Sequence, residues 1–188
     1  MSIEPSPEGP IFATRDTDPV IVASHEVRRE RTPLTDAEIR TTLAAGHALA
    51  FGVEASPERM SVAWAMVCQE TARGKALWNW NMGNVDATSE WRGDRFALTA
   101  DEGYGTSRRG QTKFLRAFPD ALTGTVAWWR FMAEGYPAVL ARFDAGDGNG
   151  AGLELKKAMY FTGDVVAYCR ALRLMSAEFL RRWHGGDP

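Results

Sequence analysis

Cysteine is scarce in this 188-residue chain, which carries only Cys68 and Cys169, far apart in sequence. Each lies within an apolar helical pattern, where a thiol packs as a small hydrophobe, so two reduced core cysteines are expected. A single disulfide stays open if the two helices meet. No apolar run approaches the roughly 20 residues needed to cross a bilayer, which argues against a membrane partner. Positive charge is not in excess either: 22 Lys and Arg against 24 Asp and Glu leave a formal charge of -2. The only basic cluster is Arg28, Arg29 and Arg31, so a nucleic-acid partner is disfavoured.

What is present suits one domain with a substantial core. The chain is 45% hydrophobic and 24% charged, as globular proteins are, but seven Trp is a high number. Aromatic-lined grooves hold sugars, although most of these Trp are expected in the core. Residues 1–33 carry Pro5, Pro7, Pro10, Pro19 and Pro33 among polar residues and read as an extended or weakly ordered arm. Its short Val20-Ile21-Val22 run could dock on the domain, which would occupy 34–188.

From Thr35 the pattern is helical. Thr35-Asp36-Ala37-Glu38 has capping-box spacing, and Ile39, Leu43, His47 and Ala50 recur on one face, predicting a helix over 36–51. His47 on that stripe is expected to be a hydrogen-bonded packing residue. Ser56-Pro57-Glu58 then supplies an N-cap, a Pro at the first helical position and an early acid, so a second helix is expected over 57–72, with Gly74 placed to end it. Met60, Ala63, Trp64, Val67, Cys68 and Thr71 line its apolar side. Glu70 therefore falls in the last turn of a largely buried helix. The negative dipole end and partial burial both raise the pKa of a carboxyl there. A carboxylic acid still protonated near neutral pH is what glycoside cleavage needs to protonate a leaving oxygen.

Trp78-Asn79-Trp80-Asn81-Met82-Gly83-Asn84-Val85 makes a poor helix and a poor strand. It suits a loop offering amide groups and flat apolar faces to a sugar, with Asn79, Trp80, Asn81, Gly83 and Asn84 as candidate substrate-binding residues. The glycines Gly93, Gly103, Gly105 and Gly110, with alternating residues between them, favour short hairpins over 86–113. Beyond Pro119, Leu122, Val126, Trp129 and Met132 form a stripe with Trp128 beside it, a short helix follows over 137–144, and Asp144–Gly152 reads as a Gly- and Asp-rich loop. That loop lacks the ligand spacing and the closing Glu of an EF-hand, so no metal is expected.

On these marks the chain resembles the autolysin-like and flagellar-type N-acetylglucosaminidases of the lysozyme superfamily. Gln69-Glu70-Thr71-Ala72-Arg73-Gly74 with Asn79 to Val85 is similar to that family's helix ending in a catalytic Glu followed by an Asn-rich loop. The Asn-Met-Gly-Asn-Val wording also resembles lysozyme-like transglycosylases, and Asp86 stands where the glucosaminidases usually carry Lys. Thr88-Ser89-Glu90-Trp91 resembles the family's Thr-x-Glu-aromatic strand, and Thr112–Phe118 the segment returning to the helical body. Leu155–Tyr168 resembles the closing motif, with Tyr160 at the place of the functional Tyr and Phe161 and Gly163 departing from the usual wording.

The resemblance implies an α+β, predominantly helical, lysozyme-like fold with a small β-hairpin lobe beside an active-site cleft. It implies hydrolysis of β-1,4 bonds between N-acetylglucosamine and N-acetylmuramic acid in peptidoglycan, with Glu70 as general acid. Glu90 would be the second carboxylate, with Asp86, Asp94, Asp101 and Glu102 as rivals, and Tyr160 a catalytic phenol. Tyr104 and Asp164 join the loop residues as substrate-binding candidates, and Thr162 and Asp164 can also cap the last helix. No cofactor is required, because positioned acids suffice. Residues 1–30 lack a basic-then-apolar export pattern, so the expectation is cytoplasmic synthesis with phage-lysis or secretion-system delivery, the arm being available to a delivery partner.

Overall fold

The structure, a computed structural model, describes residues 25–99 and 112–185. Along the chain these form α1 (Asp36–Phe51), α2 (Pro57–Glu70), β1 (Arg95–Thr99), β2 (Thr112–Arg116), α3 (Ala121–Gly135), α4 (Pro137–Asp144), α5 (Gly148–Lys157) and α6 (Val165–His184). Local chemistry explains the starts. Thr35 and Glu38 close a reciprocal capping box on α1, and Ser56 Oγ accepts from the Arg59 N–H at 3.1 Å ahead of Pro57. Asp120, Asp147 and Asp164 cap α3, α5 and α6.

Two expected boundaries are corrected. Helix α2 ends at Glu70 rather than near 72, because Ala72, Arg73 and Gly74 all adopt left-handed backbone (φ 48°, 57° and 78°) and reverse the chain. At Gly74 an added Cβ would lie 2.1 Å from the Leu34 carbonyl oxygen, so the turn also needs the missing side chain. Asp144–Gly152 is not all loop: Asp147 Oδ1 accepts from the Gly150 N–H at 2.7 Å and starts α5 at Gly148. The glycines read as loop formers instead let α5 lie close on α6, where a Cβ at Gly152 would meet Cys169 Sγ at 2.6 Å.

Helix α2 is the central element: every residue from Met60 to Cys68 is buried, under α1, α4, α5 and α6. Trp64, Trp128 and Trp129 are fully buried in this core, each a side chain whose truncation costs about 3–5 kcal/mol. The stripe of α3 is rotated from the expected one, with Leu122 exposed and Gly124 and Thr125 facing inward. The reason is close packing: a Cβ on Gly46 of α1 would sit 2.5 Å from Thr125 Cγ2, and one on Gly124 would sit 2.0 Å from the Trp80 carbonyl. His47 has the expected packing role, with Nδ1 bonded to the Val53 carbonyl at 2.9 Å and Nε2 facing Arg59 Nη1 at 2.9 Å. Asp144 also pairs with Arg59, and Cys68 and Cys169 are both free, buried thiols.

β1 and β2 form an antiparallel pair in register from Arg95↔Arg116 to Thr99↔Thr112, over a second small core of Phe96, Leu115 and Ala117. This is the expected lobe, with one correction. Thr88–Trp91 is a turn, not a strand, closed by the Trp91 N–H to the Thr88 carbonyl (3.0 Å) and by Trp91 Nε1 to the Asp94 carbonyl (2.9 Å). Tyr104, Asp101, Glu102 and the glycines at 103, 105 and 110 lie outside the described residues, as does Val20–Val22. Residues 25–34 run along the lobe and loop: the Val27 N–H donates to the Arg95 carbonyl (2.8 Å), the Asn79 N–H donates to the Glu30 carbonyl (2.9 Å), and the Thr32 N–H donates to the Leu77 carbonyl (3.0 Å). Among the described residues no helix is long and apolar enough to cross a membrane.

Candidate active site

Glu70 is the last residue of α2, with its main-chain carbonyl among the helix-end acceptors that lack an intrahelical donor. Asn84 supplies that donor, its Nδ2 lying 2.9 Å from the Glu70 carbonyl oxygen. The carboxyl itself accepts from the Tyr168 hydroxyl, 2.7 Å from Oε1. Burial pushes the Glu70 carboxyl above its ordinary value; the Tyr168 hydroxyl, the Asn84 amide and the charge of Lys113 draw it back only in part. The net direction is that of an acid that keeps its proton to higher pH than a solvated Glu.

Tyr168 is the residue the sequence reading missed. Its signal was available: it follows the Asp164 cap by four positions and sits three after Val165, on the stripe that α6 turns toward α2. Phe161 stacks on it with ring centroids 4.1 Å apart, and the phenol is held above its ordinary pKa by burial first and then by the nearby Glu70 charge. Tyr168 is therefore a neutral donor to Glu70.

Tyr160 is close by and bonded differently. Its hydroxyl donates to the Gly83 carbonyl at 2.9 Å, and its ring meets Tyr136 edge-on at 5.4 Å. Burial, then the charge of Glu70, raises this phenol well above its ordinary pKa as well. Gly83 is buried, and the position needs glycine because a Cβ there would reach within 2.6 Å of Trp128 Nε1 and 3.1 Å of the Tyr160 hydroxyl oxygen. The Trp128 indole N–H has no hydrogen-bond partner among the described residues. Tyr160 thus fixes Gly83, and the next residue, Asn84, fixes the end of α2.

The rest of the loop serves itself. Asn81 is 1% exposed, and its amide donates to the Val85 and Arg116 carbonyls (3.0 and 2.9 Å) while accepting from the Val85 N–H (2.8 Å). Asn79 is buried too, accepting from the Glu30 N–H and donating to the Arg28 carbonyl. Trp80 is half-buried against the main core, its N–H on Thr32 Oγ1 at 3.0 Å. Asn79, Trp80 and Asn84 all take left-handed backbone, which Asn tolerates best among residues with side chains. Asp164 uses Oδ1 to cap α6, accepting from the Val166 and Ala167 N–H groups (2.8 and 3.3 Å).

On the lobe side, Asp86 pairs with Lys113 at 3.1 Å, and its main-chain carbonyl accepts from Arg116 Nε at 3.2 Å. The Arg116 guanidinium lies over Trp91 (4.5 Å to the ring centroid) and Phe131 (5.5 Å), joining lobe to α3. Glu90 is exposed in its turn. The structure thus gathers Glu70, Tyr160, Gly83 and Asn84 with Tyr168, Asp86 and Lys113, and leaves Glu90 on the outer turn. Its chemistry is that of a buried acid beside neutral phenols, within the field of the Lys113 charge. Among the described residues no group of three or more His, Cys, Asp or Glu is arranged to hold a metal ion.

No protein-family model matches the sequence, and no curated protein does. Solved structures do. The chain is similar to the glycoside hydrolase domain of FlgJ from Salmonella typhimurium, with TM-score 0.55 and 18% identity over 81% of this chain and 92% of that one. It is also similar to a peptidoglycan hydrolase from Sphingomonas sp. A1, with TM-score 0.57 and 16% identity over 80% of this chain and 94% of that one. A mutant of the latter gives TM-score 0.60 at 18% identity over 80% and 98%. The chain has the lysozyme-like fold of these glycoside hydrolase domains, predominantly helical with a small two-stranded lobe.

Proposed function

We propose that the protein hydrolyses the glycan strand of peptidoglycan, cutting a β-1,4 bond between N-acetylglucosamine and N-acetylmuramic acid on the glucosaminidase side. The observation that carries this reading is Glu70: a carboxyl at a helix end, burial-shifted toward its protonated form and aimed by a 2.7 Å bond from Tyr168. Such a group can protonate the glycosidic oxygen as the bond to the anomeric carbon breaks, which positive charge on the sugar ring then accompanies. The fold shared with a domain and an enzyme described as glycoside and peptidoglycan hydrolases supports the substrate class.

In this reading Glu70 is the catalytic acid and Tyr168 its positioning partner. Asn84, Gly83 and Tyr160 form a chain of contacts that holds the end of α2 in place; Asn79 and Asn81 build the loop rather than bind sugar, and Asp164 holds the helix that carries Tyr168. Trp80 keeps a partly exposed face that can meet a sugar ring. The reaction needs no metal or organic cofactor.

The test is product analysis on purified peptidoglycan. Wild-type protein is expected to release new reducing N-acetylglucosamine ends, and Glu70→Gln to fold normally and release none. A reducing N-acetylmuramic acid or a 1,6-anhydro end would reassign the bond or the reaction to a muramidase or a lytic transglycosylase. Binding without turnover by wild type at several pH values would replace the enzyme reading with a glycan-binding one.

A further inference from the structure

Resting on the glycosidase reading, we propose that Asp86, not Glu90, is the second carboxylate: the base that takes the proton of the attacking water on the ring face opposite Glu70. Asp86 is tethered to the acid by a short, bonded path. Asn84 Nδ2 is 2.9 Å from the Glu70 carbonyl, and two residues of chain reach at most about 7 Å, so the Asp86 backbone cannot leave the neighbourhood of the helix end. The path is also stiff. Tyr160 holds Gly83, Asn81 holds Val85 on both its N–H and its carbonyl, the Arg116 N–H donates to the Val85 carbonyl (3.0 Å), and the Ala87 N–H donates to the Phe114 carbonyl (2.8 Å).

Its side chain is available and restrained. Asp86 is 64% exposed, free to meet water, and Lys113 Nζ at 3.1 Å limits where its carboxylate can swing. The charge of Asp86 acts on Tyr160 and Tyr136, and the charge of its ion-pair partner Lys113 acts on Glu70. Glu90 has none of this. It lies up to six residues of chain from Asn84, about 20 Å of reach, in an exposed turn, and its carboxylate has no hydrogen bond or ion pair among the described residues. A reacting group must be held within a fraction of an ångström of its working position, which favours the braced residue over the loose one.

The step balances as a single displacement. The water oxygen bonds to the anomeric carbon while its proton passes to Asp86; the bond from that carbon to the glycosidic oxygen breaks as this oxygen takes the proton of Glu70. Solvent then returns the proton from Asp86 to Glu70. A water between two carboxyl groups predicts an inverted, α-configured new reducing end.

The experiment compares Asp86→Asn, Asp86→Ala, Lys113→Met and Glu90→Gln in the full chain on peptidoglycan. Asp86→Asn is expected to lose at least about 100-fold in kcat with KM within a few-fold and an unchanged melting temperature. Azide should restore turnover to Asp86→Ala and leave a glycosyl azide, a product no structural role can yield. Lys113→Met keeps the carboxylate and should lose less than Asp86→Asn, whereas a merely structural ion pair predicts equal losses. Near-normal kcat in Asp86→Asn, or a 100-fold loss in Glu90→Gln with no azide product from Asp86→Ala, overturns the assignment. Wild-type protein inactive on peptidoglycan sinks the glycosidase reading itself, an outcome distinct from active wild type with an indifferent Asp86.

Discussion

The Tyr168 hydroxyl donates to Glu70 Oε1 at 2.7 Å, so a residue from the last helix sets the direction of the acid that ends the second. This bond favours the ionised carboxyl, opposing the burial that disfavours it. Tyr168→Phe removes the donor and keeps the ring stacked on Phe161. The alkaline limb of the pH–kcat profile, which reports loss of the Glu70 proton, is expected to move to higher pH while kcat falls about tenfold from lost orientation. An unmoved limb would mean that the hydroxyl does not act on Glu70.

Glu70 also links stability to pH. Its folded pKa lies above the unfolded value of about 4.3, so the fold binds this proton more tightly than the unfolded chain does. The contribution is fully present below pH 4 and is lost as pH rises through the folded value. Glu70→Gln has no such proton to lose, so its stability relative to wild type should grow from pH 4 to pH 8 in urea unfolding. A pH-independent difference would contradict the burial of this carboxyl.

His47 titrates in the opposite sense. Burial and the adjacent Arg59 charge hold its folded pKa below the unfolded value of about 6.5, against the pull of the Val53 carbonyl and Asp144. The neutral ring donates from Nδ1 and accepts at Nε2; protonation removes that acceptor and faces the guanidinium with a like charge. Stability attributable to His47 is therefore complete above about pH 6.5 and falls as the medium is acidified below it. His47→Gln should show a flatter melting temperature between pH 7 and pH 5 than wild type.

Asn81 and Gly83 predict different failures. Asn81→Ala strands the buried Val85 N–H and the part-buried Arg116 carbonyl, leaves the Val85 carbonyl with the Arg116 N–H alone, and is expected to cost about 2–4 kcal/mol in chemical denaturation, with activity lost in proportion to unfolding. Gly83→Ala drives a methyl group into Trp128 and the Tyr160 hydroxyl. Its cost of about 1–3 kcal/mol should come with a drop in kcat beyond the loss of folded protein, because the displaced loop releases the end of α2. Equal specific activity per folded molecule in Gly83→Ala and wild type would remove Gly83 from the positioning chain.

Much of this was legible in the sequence where local rules decide. The Thr35–Glu38 box, the Ser56-Pro57 start and the short helix expected from 137, where Pro137 takes the first helical position, mark three helix starts, because caps and Pro act within a turn. Glu70 was legible because helix phase and chain reversal put it at a buried end. The loop amides were misread for a physical reason: composition reveals that Asn can bond but not to what, and Asn79 and Asn81 bond to segments up to 51 residues away. The α5 glycines misled similarly, since a residue without a side chain serves a loop or a tight helix contact equally well. Tyr168 was obscured by the neighbouring Tyr160, although its own helix phase pointed inward.

Residues 25–34 carry a consequence for the order of assembly. Their main-chain bonds go to Gly74, Leu77, Asn79 and Arg95, partners roughly 40 to 70 positions later in the chain, whereas α1 and α2 need only short connections to meet. Closing long loops is slow because their entropy must be spent before any contact compensates it. The α1–α2 pair can therefore form ahead of this edge, so a folding molecule can hold Glu70 in a formed helix before residues 25–34 join the loop to the lobe.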